Sequence, residues 1–456
     1  MWTDGRYHLQ AVKEMDRNWV LMKDGLPETP SQADWLTTNL QAGSVGVDPM
    51  LMGAKAWAAL QEKLELAGLE LVPVETNLVD VAWAGDPEHP QPARPDNPVF
   101  PLELTFTGAS WQEKVARVRA VMEEAGAEVL IVSALDDVAW LTNLRGSDIA
   151  FNPVFFSYAA VTQTETVLFL RQSQLSPQVK AALSNGDDLE GECVVIQEYD
   201  QIKNYIQNKV NQSKDGGKFW LSDTTSQALA SLVPGTRRLI KGSPITLLKS
   251  MKNEVEIRGF EASHARDAAA LCNYLCWLDK NIDKQEVTEV TGADQLERLR
   301  AEQEHFMGLS FPSISSMGPN GSIIHYRPVP ETARTITRTE LYLLDSGAQY
   351  RDGTTDVTRT VHFGSPSQYE RECFTRVLKG HIALASAVFP NKTKGHCVDA
   401  MARQYLWQVG QFFFSLSELI FLTGWPGLSS RHGSRRGLIP ECPRGAVWDL
   451  LESLPQ

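Results

Sequence analysis

Two aspartates, Asp345 and Asp356, are the residues of this chain best placed to do chemistry. They stand in Leu343-Leu344-Asp345-Ser346-Gly347-Ala348-Gln349-Tyr350 and in Asp352-Gly353-Thr354-Thr355-Asp356-Val357-Thr358-Arg359-Thr360, with the turn signal Arg351-Asp352-Gly353 between them. Aspartate is a poor strand residue, so two of them in strand-like stretches need a reason. A turn centred between Tyr350 and Arg351 sets them directly opposite each other, and a turn centred on Asp352-Gly353 offsets them by four residues. Both registers keep them on one face, because side chains alternate with period two. Like charges held on one face repel, and a divalent cation turns that repulsion into attraction, since hard cations prefer carboxylate oxygens. The competing reading is a solvated hairpin with two exposed acids.

Other polar residues say less by spacing alone. His325 follows an apolar stretch and precedes Tyr326-Arg327-Pro328, which suits a hydrogen-bonded structural histidine. Arg6 reads as a turn-flanking surface residue, and Arg359 and His362 as strand-end packing. His381 and His396 fall in helical patterns. Asp136-Asp137 suits a helix start, where the dipole favours acids.

The elements that must position these residues fall into three units. Residues 1–105 open with a hairpin signal at Trp2–Tyr7, continue as a strand over Ser44–Asp48, a helix over Ala54–Ala67 and a strand over Leu69–Val74, and end in a proline-rich linker. Residues 106–250 begin at a capping box, Ser110 with Glu113, ahead of a helix that stops at Gly126. Strands over Glu128–Ser133, Phe155–Thr162 and Glu165–Leu170 follow, with a helix over Leu135–Leu144. Phe219–Asp223 and the helix after it echo Val45–Asp48 and its helix, which points to a duplicated fold. Residues 251–410 start with a helix from Glu254 to Lys280 capped by Asn253, with Ile257, Phe260, Ala265, Ala268, Leu271, Leu275 and Leu278 as its apolar side. A helix over Gly292–Glu304, the aspartate hairpin and helices over Gln368–Ala387 and Gly395–Gln408 complete the unit.

Bulk properties bound the function. The chain has 456 residues, 43% of them hydrophobic, enough for two to four domains of a globular protein. A formal net charge of -13 argues against a nucleic-acid partner. Six scattered cysteines form no disulfide framework or zinc knuckle, which fits a reducing compartment; Cys272 and Cys276 suit a buried apolar helix stripe. The opening residues are neither basic nor followed by an apolar core, and the longest apolar stretch, Phe412–Leu422, is too short for a bilayer. Asn-X-Ser/Thr triplets at Asn211, Asn320 and Asn391 read as chance.

Several motifs together carry a resemblance. They are Trp2-Thr3-Asp4-Gly5-Arg6-Tyr7, Leu144-Arg145-Gly146-Ser147-Asp148, Asn152 to Tyr158, Phe311 to Ser316, Gly318 to Tyr326, the two aspartate segments and Val361-His362-Phe363-Gly364. Over about residues 1–410 the chain resembles the metal-dependent Xaa-Pro aminopeptidases of the pita-bread peptidase family, in their large three-domain cytosolic form. The resemblance implies a multidomain α/β and α+β fold, with two creatinase-like N-terminal α/β domains before a pita-bread catalytic domain. It implies two Mn ions, Asp345 and Asp356 as metal ligands, His325 as a catalytic residue that contacts substrate near the scissile bond, and Arg6 as a residue reaching the substrate pocket. It further implies peptides with proline second as substrates, a homodimer, a cytoplasmic location, and neither nucleic-acid nor membrane partners.

The family's other three ligands are a His in a His-Gly-X-Gly-His run and two Glu in Asp-Glu-Pro-Gly-Tyr and Arg-X-Glu-Asn type runs. Residues 411–456 contain none of these runs; the nearest text is Arg431-His432-Gly433-Ser434, and Glu418, Glu441 and Glu452 stand in no matching context. The expectation is therefore an incomplete catalytic domain with a divergent tail, as in a truncated isoform, that is weak or inactive and prone to aggregate. The alternatives are a non-catalytic interaction or dimerisation partner, or a product with no function of its own.

Overall fold

The computed structural model describes residues 1–184, 193–213, 216–390 and 393–408. The tail with Glu418, His432, Glu441, Cys442 and Glu452, and the triplet at Asn391, lie outside the described residues.

At the start of the chain β1 (Trp2–Thr3) pairs in parallel with β2 (Met22–Lys23), with α1 (His8–Glu14) between them. Trp2–Tyr7 is therefore not a hairpin. Asp4 accepts from the Arg6 amide at 3.0 Å and its carbonyl accepts from the Tyr7 amide at 3.0 Å, which turns the chain into α1. Asp-Gly marks a helix-entry turn as readily as a hairpin, so the signal was ambiguous. Next, β3 (Gly43–Val47), α2 (Ala54–Leu66) and β4 (Leu69–Pro73) form a parallel β-α-β unit that buries Trp57, Leu64, Leu69 and Leu71.

The second region is built on a six-stranded sheet. The capping box at Ser110 and Glu113 starts α3 (Trp111–Glu124), and Gly126 at φ +65° ends it. There follow β5 (Ala127–Val132), α4 (Leu135–Thr142), β6 (Tyr158–Thr162), β7 (Thr166–Phe169), β8 (Val194–Gln197), β9 (Lys218–Leu221) and β10 (Arg238–Ile240). Their order is β8-β7-β6-β5-β9-β10, with β6 antiparallel to both neighbours and the other pairs parallel. Both faces are covered: Leu130 and Val132 point into one apolar cluster, Val129 and Ile131 into another. Buried Asp148 accepts from the Asn97 and Phe156 amides at 3.1 and 2.9 Å and from Gln174 Nε2 at 2.9 Å, which ties the proline-rich segment to this sheet. Asp136 and Asp137 lie in the first turn of α4 and pair with Lys249.

The third region opens with α5 (Glu254–Asn281), whose N-terminus carries a capping box between Asn253 and Glu256. Its buried stripe runs through Ser263, Asp267, Ala270, Leu271, Tyr274 and Leu278. Leu271 and Leu278 belong to it as expected, but Ile257, Phe260, Ala265 and Ala268 are exposed. Cys272 and Cys276 are exposed as well, not buried. The first half of the helix faces polar partners, so its inward positions are small or charged and apolar periodicity pointed the wrong way. Then come α6 (Glu289–Ala301), β11 (Phe306–Leu309), β12 (Ile314–Met317), β13 (Tyr342–Ser346), β14 (Ala348–Tyr350) and β15 (Val357–Val361). Strands β12-β13-β15 form an antiparallel sheet, and β14 pairs with β11. One face rests on α5 and α6 through Leu271, Tyr274, Leu296, Tyr342 and Leu344. Two further helices, α7 (Gln368–Ala385) and α8 (Gly395–Trp407), pack on each other through Val377, Leu384, Val398, Ala402 and Leu406. No helix among the described residues is long and apolar enough to cross a membrane.

Between α5 and α6 lies a buried ion pair. Arg300, fully buried on α6, grips Asp267 of α5 through two bonds of 2.8 and 2.9 Å, and Tyr350 Oη donates to Asp267 Oδ1 at 3.0 Å. Removing one member of such a pair leaves the other charge buried and uncompensated. Arg300→Met is expected to destabilise the third region by about 3–5 kcal/mol in denaturant titrations, with a smaller loss when combined with Asp267→Leu.

Candidate metal and peptide site

The register of the aspartate hairpin lies between the two expected ones. Asp345 pairs with Thr358 and Ser346 with Val357, and the same register continues to a bridge between Gln349 and Thr354. The turn is thus centred between Arg351 and Asp352, and Tyr350 N donates to Gly353 O at 2.8 Å. Asp356 lies just before β15, two residues from the partner of Asp345. Both aspartates therefore project from one face, on the diagonal.

Local packing explains this register. Arg266 on α5 holds Asp352 at 2.5 and 2.6 Å. A Cβ on Gly353 would come within 2.3 Å of Ser263 Oγ, so the turn lies directly on the helix. A Cβ on Gly347 would come within 2.0 Å of the Thr355 carbonyl. At that crossing Thr355 N donates to Ala348 O and Ala348 N to Thr355 Oγ1, both at 2.9 Å.

The pair is electrostatically unsettled. Burial and then the Asp356 carboxylate push Asp345 from its ordinary 3.8 up to about 6, against a Thr358 hydrogen bond and the field of Arg300. Asp356 at the rim is also raised, chiefly by partial withdrawal from water. Asp345 Oδ1 is buried and has no hydrogen-bond partner, and neither has Thr360 Oγ1 on the same face. A buried carboxylate oxygen without a donor is the arrangement a hard cation would satisfy. Among the described residues, however, no group of three His, Cys, Asp or Glu could hold a metal ion. Two carboxylates suit the chemistry of such an ion but do not fill a coordination shell of about six donors.

The same face carries the loop with His325. Leu343, two residues before Asp345, packs with Ile314, Ile324 and Tyr326. His325 has a positive φ of 56°, and its Nδ1 lies 3.3 Å from the hydroxyl of Tyr7, with the rings edge to face at 5.5 Å. Arg6 makes two bonds of 2.8 Å to Asp4 and stands 5.5 Å from the Tyr7 ring. That pair holds Asp4 down to about 2. Burial and then the Arg6 charge lower His325, against Asp4, which favours the neutral imidazole. So the structure joins Arg6 to His325 through Tyr7, and Asp345 to Asp356 through the sheet.

Three contributors escaped the sequence reading. Tyr7 was seen only as part of a motif. Gln349, on the aspartate face, donates from Nε2 to the carbonyl of Phe151 at 3.0 Å and so ties the second region to the hairpin. Glu289 falls outside the helix expected over Gly292–Glu304, whereas α6 begins at Glu289 with Thr288 as its N-cap. Elsewhere, His362 Nδ1 accepts from the Gly364 amide at 3.0 Å, Arg359 donates to the Thr358 carbonyl, and His381 and His396 sit in α7 and α8.

A carboxyl whose folded pKa exceeds its unfolded one stabilises the fold fully below the unfolded value, and that contribution is lost as pH rises through the folded one. The metal-free chain, in chelator, is therefore expected to lose up to about 3 kcal/mol of stability between about pH 4 and pH 7. Asp345→Asn should flatten this dependence in urea titrations; an unchanged slope contradicts the assignment.

Comparison with known proteins agrees with this architecture. Residues 90–256 match the Creatinase/Prolidase N-terminal domain and residues 258–433 match Metallopeptidase family M24. The chain is similar to Xaa-Pro aminopeptidase ApepP of Drosophila melanogaster, 47% identical over 413 residues that make up 90% of this chain and 66% of the relative. It is 42% identical over 464 residues to the probable Xaa-Pro aminopeptidase P of Coprinopsis cinerea, covering 98% of this chain and 70% of that protein. The crystal structure of X-prolyl aminopeptidase from Caenorhabditis elegans, a cytosolic enzyme with a di-nuclear active site, superposes with a TM-score of 0.83 at 36% identity, over 90% of this chain and 66% of that one. This chain thus spans about two thirds of the length of these relatives. With a creatinase-type N-terminal region leading into an M24 pita-bread domain, it belongs to the Xaa-Pro aminopeptidase family.

Proposed function

We propose that this chain carries the peptide-recognition apparatus, and part of the metal site, of a manganese-dependent aminopeptidase that releases the N-terminal residue from peptides with proline second. The observation that carries the reading is the same-face pairing of Asp345 with Asp356, with Asp345 Oδ1 lacking a partner. These two carboxylates would hold the metal, which when bound supplies Lewis acidity and a water activated at neutral pH. His325 is assigned to the substrate beside the scissile bond. Its neutral imidazole offers one donor and one acceptor nitrogen, as proton handling requires. Arg6 is assigned to the peptide, with Asp4 and Tyr7 setting its guanidinium. The homodimer and the cytoplasm are the expected assembly and location, the latter in line with the cytosolic C. elegans relative.

Two carboxylates alone bind a cation weakly, so the 456-residue polypeptide by itself is read as weak or inactive. A second reading, a non-catalytic partner protein, is favoured by the exposed apolar row Phe374, Leu378 and Ile382 on α7.

An X-Pro-X peptide is expected to bind the chain, with about tenfold weaker affinity after Arg6→Ala or His325→Ala. Binding that ignores both changes overturns the recognition role. With added Mn²⁺, the purified chain is expected to retain less than about one ion and to hydrolyse the peptide no faster than a control carrying Asp345→Ala and Asp356→Ala. Turnover above that control overturns the inactivity.

A further inference from the structure

We propose that Glu289 is a positioning residue, which fixes the 318–334 loop and through it the place of His325. Glu289 is fully buried at the first position of α6. Its Oε1 accepts from the Met317 amide at 2.6 Å and from Asn320 Nδ2 at 3.0 Å. Its Oε2 accepts from Tyr326 Oη at 2.7 Å, from the Arg334 amide at 2.9 Å and from Asn320 Nδ2 at 3.1 Å. The end of β12, the start of the loop, the residue after His325 and the loop's far end thus meet on a single carboxylate.

These donors are two backbone amides, a side-chain amide and a phenol. None is charged, so the anion is held by hydrogen bonds and by its position at a helix N-terminus. Loop 318–334 has one short helical turn, at Gly318–Ser322, as its regular structure. His325 itself sits at φ +56°, a conformation uncommon for a residue with a side chain and one that its neighbours help to hold. Both flanking residues, Ile324 and Tyr326, pack against the Ile314 and Leu343 cluster, and Tyr326 is the one bonded to Glu289. The other side of His325 meets Tyr7 from the chain's first turn. Glu289 therefore holds the loop on which His325 meets that turn.

The role makes a specific demand on the carboxylate. Glu289→Gln keeps the shape but swaps one acceptor for a donor facing donors, so at least one of the four groups loses its partner. Tyr326→Phe removes one bond and leaves the anion its remaining donors, and serves as the milder variant should Glu289→Gln fold poorly.

The experiment is hydrogen exchange with mass spectrometry on the full chain and both variants, joined to NMR of the histidine ring carbons. Expected is about tenfold or faster exchange within 318–334 in Glu289→Gln, less in Tyr326→Phe, with 267–301 and 342–361 unchanged and the His325 ring resonances moved. Exchange rising equally across the third region, or a His325 signal that stays put, overturns the proposal in favour of a purely structural role. The functional side rests on the substrate role of His325 proposed above, and X-Pro-X peptide affinity separates the two. A loosened loop with unchanged affinity leaves the positioning standing and removes the substrate role. An unloosened loop, with affinity still sensitive to His325→Ala, removes the positioning alone.

Discussion

The antiparallel pairing of Tyr342–Ser346 with Val357–Val361 is the constraint on which the rest of the site depends. Side chains alternate along a strand, so a slip of one residue would send Asp345 into the apolar layer beneath and bring Leu344 out. Alternation alone does not choose among registers of the same parity. That choice comes from the turn: Arg266 holds Asp352, Gly353 lies against Ser263, and Gly347 crosses Thr355 where no side chain fits. The helix under the sheet thereby sets the spacing of two carboxylates on the opposite face.

Acids buried wholly or in part in this region are handled in three ways. Asp267 has a full counter-charge in Arg300 and a phenol besides. Glu289 has no cation among its donors but is saturated with neutral ones. Asp345 has the Thr358 hydroxyl on one side, an oxygen without a partner on the other, and a second carboxylate nearby. An acid satisfied by the fold itself has no need of a ligand; an acid left partly unsatisfied is available to one.

The sequence made legible what local rules control. The capping box at Ser110, the cap at Asn253, the stop at Gly126 and the shared face of Asp345 and Asp356 follow from residues close together in the chain. Tertiary partners decided the rest. On α5 the inward face is polar where it meets the hairpin, so exposed Ile257 and Phe260 looked like core while Ser263 and Asp267 did not. Cys272 and Cys276 lie in the apolar half of the helix but on its exposed side, beside the stripe of Leu271, Tyr274 and Leu278 instead of within it. Asp4-Gly5 served a helix entry instead of a hairpin because its strand found a parallel partner at Met22. Glu289 gave no signal, since an acid at the start of a helix is ordinary and its donors come from residues up to 45 positions away. Tyr7 and His325 are separated by 318 positions, and only the folded chain shows that they touch.

Asp345 and Asp356 share one face closely enough that the Asp356 charge opposes ionisation of Asp345. A carbon-13 NMR titration of the Asp345 carboxyl, in metal-free chain and in Asp356→Asn, measures this directly. The account predicts a midpoint of about 6 that falls toward the ordinary aspartate range when the neighbouring charge is removed. A midpoint that is ordinary from the outset, or that ignores Asp356→Asn, would contradict it.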